Sequence, residues 1–140
     1  NITNADRPMD FSNNFDVYVD GLNISEFYSG MEVGSNSHIA NVVLNNLQLS
    51  SGIENSFGIN GGVYFSNVEV INTFGYAITA TDTASFKDII IRENDGHGIL
   101  GGALFNNVEV YNNNSYGINA HASARYIDVK VHDNHKYTTG

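Results

Sequence analysis

The sequence predicts an all-β fold, a single-stranded right-handed parallel β-helix: a solenoid of about 5 to 6 coils of about 21 residues each. The first observation behind this is an internal repeat. Phe65-Ser-Asn-Val68-Glu-Val70, Phe86-Lys-Asp-Ile89-Ile-Ile91 and Phe105-Asn-Asn-Val108-Glu-Val110 state one motif three times, and thirteen residues after each Phe stands an isoleucine, Ile78, Ile99 or Ile118. A unit this short cannot bury its own apolar face, so it has to stack on its neighbours. The second observation is periodicity. The apolar clusters have i, i+2 spacing, are rich in Val, Ile and Phe and are bounded by Asn and Gly, while no window sustains the i, i+3, i+4, i+7 spacing of a helix. The third is that Asn or Asp recurs at fixed places in successive repeats.

Taken in order, the chain opens with alternation at Phe15, Val17 and Val19, followed by Leu22 and Ile24 after Gly21. Val19, Leu22 and Ile24 have the spacing of Phe65, Val68 and Val70, and Phe11 precedes Val19 by eight positions as Phe57 precedes Phe65, so the repeat begins near the N-terminus. The next coil is expected to carry Leu44, Leu47, Leu49 and Phe57, about 25 residues on, with the extra residues between Ile24 and Leu44. Three regular repeats follow. Phe105 comes six positions after Ile99 where eight is the step elsewhere, which implies a shorter corner, and the last coil reads Tyr126, Val129 and Val131. Each coil should contribute three short strands that pair in parallel with their equivalents about 4.8 Å away. Parallel crossovers are overwhelmingly right-handed, and so should the coil be.

Composition bounds the function. The 140 residues suit one domain, 1–140, expected to be a piece of a longer chain or a unit that stacks end to end. No cysteine is present, so neither disulfides nor thiolate metal sites are available. A net charge of -9 with six Lys plus Arg argues against nucleic acid and against an anionic membrane surface. No apolar run reaches membrane-spanning length and no charged-then-apolar leader opens the chain, so no membrane insertion is expected of it.

The Asn/Asp places form ladders if coils stack. One reads Asn46, Asn67, Asp88, Asn107, Asp128 and another Thr73, Asn94, Asn113, Asn134. Asn and Asp tolerate left-handed backbone at sharp corners, and stacked amides can bond along the axis. A third ladder is aromatic: Tyr76, His97 and Tyr116 each stand two residues before the isoleucine, and Tyr137 falls at the next equivalent place. Such rings can stack to seal a corner, or serve as a platform for sugar rings with hydroxyls or imidazole available for acid–base work. Asn119 and His121 should face outward after Ile118, with Thr79 and Thr81 in equivalent places. The candidate substrate-binding set is therefore Tyr76, His97, Tyr116, Thr79, Asn119 and His121.

Other constellations carry less. His132-Asp-Asn-His135 lacks a third ligand, so no metal and no cofactor is expected. Glu69 and Glu109 hold equivalent outward places with Ile90 between them, about 9.6 Å apart across two strand spacings. That suits an inverting glycosidase, but a repeat generates such pairs automatically. Asn1-Ile-Thr3 and Asn23-Ile-Ser25 fit the glycosylation motif.

The repeats Val-x-Val-x-Asn-Asn followed by Gly-Ile resemble the right-handed parallel β-helix superfamily of pectate lyases, polygalacturonases, alginate C5-epimerases and phage tailspike depolymerases. Gly75-Tyr76-Ala77-Ile78 is similar to the Gly-Tyr-Gly-Phe segment of the epimerases, and Asn94-Asp95-Gly96-His97-Gly98 to the Gly-His-Gly of polygalacturonases. Where the epimerases continue with Asp-Pro-His-Glu, this chain has Thr79, Ala80, Thr81 and Asp82, and the paired aspartates of polygalacturonases are absent one coil earlier. The resemblance implies a polysaccharide partner and an extracellular or virion-surface location. Tyr76 and His97 are what it leaves as candidate catalytic groups for a lyase, epimerase or glycosidase. The expected function is a carbohydrate-binding or carbohydrate-processing module. The alternative is a structural solenoid, a shaft, adhesin or filament subunit in a homo-oligomer or larger assembly, because uncapped coil ends expose strand edges.

Overall fold

A computed structural model describes residues 2–3, 9–11, 16–27, 30–47 and 57–135. Among the described residues, thirteen strands alternate between two parallel sheets. The long sheet contains β1 (Ile2–Thr3), β3 (Tyr18–Phe27), β5 (His38–Leu47), β7 (Tyr64–Ile71), β9 (Ser85–Arg92), β11 (Leu104–Tyr111) and β13 (Arg125–His132), in that order. The short sheet contains β2 (Met9–Asp10), β4 (Met31–Glu32), β6 (Phe57–Asn60), β8 (Tyr76–Thr79), β10 (Ile99–Leu100) and β12 (Ile118–Asn119). Every strand pairs with its equivalent one coil away, which makes the chain a parallel β-solenoid with no helix among the described residues.

The core is a set of columns between the two sheets. Phe65, Phe86 and Phe105 stack at centroid separations of 4.7 and 5.0 Å, and Val68/Ile89/Val108, Val70/Ile91/Val110 and Ile59/Ile78/Ile99 lie in register beside them, all 2% exposed or less. Phe65 and Val68 are three residues apart, and a straight strand would point them to opposite faces. Asn67 resolves this with a left-handed φ of 53°, which bends the strand so that both face inward. Gly21, Asn41, Asp88, Asn107 and Asp128 hold the same place in their coils, with φ between 51° and 73°. The two sequence-expected strands on either side of this residue are therefore one bent strand, and among the described residues each coil has two strands. A second left-handed column, Glu26, Asn46, Asn72, Glu93, Asn112 and Asp133, turns the chain out of each long strand.

The register corrects the expected second coil. Leu44 pairs with Ile24 and Val70, and the counterparts of Phe65 and Val68 in this coil are Ile39 and Val42. Leu44, Leu47 and Leu49 mimic the motif's spacing, but β5 is anchored five residues earlier by Ile39, buried to 1%. Asn46 accordingly belongs to the second left-handed column, and Asn41 is the rung below Asn67. The extra residues follow β5: Asn45 and Phe57 are twelve positions apart where their partners Ile71 and Tyr76 are five. Phe57 pairs with Tyr76, whereas Phe11 follows β2, the partner of β4, so Phe11 and Phe57 are not equivalent. Phe15, Leu49 and Tyr137 lie outside the described residues.

From β4 onward the corner from short to long sheet comes in two lengths. Ile59 to Phe65 and Ile99 to Phe105 span six positions through Gly61-Gly62 and Gly101-Gly102, whereas Ile78 to Phe86 and Ile118 to Tyr126 span eight. The short corner is thus used twice. A Cβ on Gly102 would lie 2.5 Å from the Phe86 ring and 2.7 Å from that of Phe105, so the tight corner requires glycine there.

Candidate functional site

The aromatic ladder forms where the chain enters the short sheet. Gly75, at φ 75°, turns the chain into β8, and Tyr76 is the first residue of that strand. The rings of Tyr76 and His97 stack at 4.6 Å and 19°, those of His97 and Tyr116 at 5.3 Å and 6°. Phe57, paired with Tyr76, begins the column one coil earlier. Tyr76 and His97 are half-buried and Tyr116 is 48% exposed. Near-parallel rings at this spacing cover much of one another's faces and leave edges, with their hydroxyl and imidazole polar atoms, at the surface. Burial holds the His97 imidazole below the ordinary histidine value, which favours its neutral form at pH 7.

The polar residues expected beside the ladder are placed at the other end of the short strands. Thr79 closes β8, and its column runs Asn60, Thr79, Leu100, Asn119, so an apolar side chain separates Thr79 from Asn119. His121 lies in the turn after β12, where its Nδ1 faces Ser123 Oγ at 2.8 Å, and Thr81 Oγ1 meets Thr83 Oγ1 at 3.3 Å in the equivalent turn. The structure thus brings Tyr76, His97 and Tyr116 together as one stack and spreads Thr79, Asn119 and His121 over a second, wetter strip.

The carboxylates near this stack and on the long sheet have other partners. Asp95, two residues before His97, accepts the side-chain amide of Asn114 at 2.7 Å. Glu69 and Glu109 do share a column on either side of Ile90. Each already faces a basic group: Arg92 Nη2 lies 3.4 Å from Glu69 Oε1 and His132 Nε2 lies 3.4 Å from Glu109 Oε1. Hydrogen bonds to Asp133 and Glu109 raise the His132 imidazole above its ordinary value. Among the described residues no group of three or more His, Cys, Asp or Glu side chains is arranged to hold a metal ion.

A second Tyr-His-Tyr ladder escaped the sequence reading. Tyr18, His38 and Tyr64 pair in register on the outer face of the long sheet, with ring centroids 6.3 and 4.6 Å apart and tilts of 43° and 53°. Each precedes an inward residue, Val19, Ile39 or Phe65, and outward placement follows from strand alternation. That signal is in the sequence, but it needs the correct register of β5 to bring His38 into line.

In comparisons with protein-family models, curated proteins and solved structures, nothing matches this chain.

Proposed function

We propose that this chain is a carbohydrate-binding β-solenoid module, working in a secreted or virion-borne assembly that handles polysaccharide. The observation that carries the reading is the Tyr76–His97–Tyr116 stack, three rings in register that stay partly open to solvent, Tyr116 being 48% exposed. The ring edges, with their hydroxyl and imidazole groups, suit the hydroxyl rims of sugars. Thr79, Asn119 and His121 supply polar contacts on the strip across the short sheet. Binding is favoured over catalysis because the paired Glu69 and Glu109 are engaged by Arg92 and His132. The net charge of -9 favours neutral chains over polyuronates such as alginate or pectate. Affinity electrophoresis in neutral and anionic polysaccharides tests this: retardation that Tyr116→Ala reduces while the melting temperature holds supports the reading. Mobility unaffected by every polymer removes it.

A structural solenoid remains as a second reading on one observation. Tyr126 and Val131 in the β13 coil are 54% and 48% exposed, whereas their counterparts Phe105 and Val110 are fully buried. A further coil on β13, from the same chain or another copy, would cover them. Concentration-dependent assembly in sedimentation velocity favours this reading, and a monomer at all concentrations counts against it.

A further inference from the structure

We infer that the outer face of the long sheet carries a second glycan-binding site, in which Tyr18, His38 and Tyr64 take a neutral polysaccharide by stacking sugar rings on tilted aromatic faces. The inference shares its ligand class with the reading above and rests on a separate set of residues.

Single exposed tyrosines are ordinary on protein surfaces. Here aromatic rings occupy three successive rungs of one column, with Tyr18 70% and Tyr64 54% exposed. The tilts of 43° and 53° contrast with the 6° to 19° of the Tyr76–His97–Tyr116 stack. Near-parallel rings cover each other's faces, whereas rings set at these angles leave part of each face open, and a sugar stacks on faces. The next rung is Ser85, so the aromatic run gives way to a hydroxyl.

The surroundings point to an uncharged ligand. Two residues further along the same strands, on the same outward face, stand Asp20, Ala40 and Ser66. Ala40 leaves the middle of this row low, and Asp20 and Ser66 give it polar ends. Asp20 accepts the Asn41 amide at 2.6 Å, and Asp16, two residues before Tyr18, accepts from Asn36 at 3.2 Å through each of its oxygens. Carboxylates with remaining lone pairs can accept bonds from sugar hydroxyls, while they repel a uronate.

The test is affinity electrophoresis of the full chain in hydroxyethylcellulose, xylan and galactomannan, with pectate as the anionic control, for the wild type, Tyr116→Ala, Tyr64→Ala and the double variant. The expected result is that at least one neutral polymer retards Tyr116→Ala, and that adding Tyr64→Ala weakens the remaining affinity about fivefold or more. Tyr18→Ala, at the most exposed ring, should act in the same direction and covers the case in which Tyr64→Ala fails to fold. Loss of retardation in Tyr64→Ala alone, with Tyr116→Ala unchanged, leaves this site standing and removes the other ladder. The inference is overturned if Tyr116→Ala abolishes all retardation, if the double variant binds no more weakly than Tyr116→Ala, or if pectate is bound as well as the neutral chains. Absence of retardation by any polymer overturns both sites together.

Discussion

Asn107 donates its side-chain amide to Asp88 across 2.7 Å, one rung along a column in which both residues hold left-handed backbone, at φ 53° and 55°. Asn67 does the same to Asn41 at 2.7 Å, and Asn41 to Asp20 at 2.6 Å. An ionised aspartate accepts and cannot donate, so the run of amides that passes from rung to rung is interrupted at Asp88. Asp88→Asn restores a donor facing Asn67 without changing shape or backbone preference. It should stabilise the fold by about 0.5 to 1 kcal/mol, measured by urea denaturation at neutral pH. Asn107→Val loses the bond and forces a β-branched residue into left-handed backbone, at a cost of about 2 to 3 kcal/mol.

The buried amide column is the more sensitive one. Asn94, 1% exposed, accepts from the backbone N–H and the hydroxyl of Thr73 at 2.9 and 2.7 Å, and donates twice to Asn113 Oδ1 at 3.2 and 2.7 Å. Asn94→Ala leaves the Thr73 N–H and hydroxyl without this acceptor in the interior and removes one of the two bonds to Asn113 Oδ1, and should cost about 2 to 3 kcal/mol. Asn94→Asp should be worse, because a carboxylate oxygen then meets Asn113 Oδ1. If Asn94→Asp matches the wild type in thermal denaturation, the column is not a structural element.

Ile89 lies between Val68 and Val108, 1% exposed. Ile89→Ala should lose about 2 to 4 kcal/mol through lost burial and a residual cavity, and Ile89→Val about 1 kcal/mol. Equal midpoint shifts for the two variants would show that this column is not close-packed.

His97 gives the fold an acid limb. Its imidazole is held below the ordinary value of 6.5, so as pH falls through that value the unfolded chain takes up the proton first. Stability from this group is present above about pH 6.5 and declines below it. His132 acts oppositely: its raised value stabilises the fold below the ordinary histidine range, and that contribution is lost as pH rises through the folded-state value. His97→Tyr, which continues the Tyr76 and Tyr116 stack without a group that titrates near neutrality, should flatten the decline below about pH 6.5. An unchanged pH profile of the melting temperature would remove the assignment.

The repeat itself carried the architecture into the sequence. The Phe, Val and Ile columns and the Thr73–Asn94–Asn113–Asn134 run were legible because stacking places chemically equivalent residues at a fixed interval, and amide ladders and aromatic stacks need like beside like. Tyr76, His97 and Tyr116 could be aligned by counting for the same reason. What counting could not fix was the phase of β5, where Leu44, Leu47 and Leu49 copy the motif's spacing. Only the pairing of Ile39 with Val19 and Phe65 settled that strand, because burial of a whole face outweighs any local match. The tertiary structure also decided which aromatic ladder shows its faces. A ring's tilt against its neighbour depends on packing one coil away, which leaves Tyr76, His97 and Tyr116 near parallel and Tyr18, His38 and Tyr64 splayed.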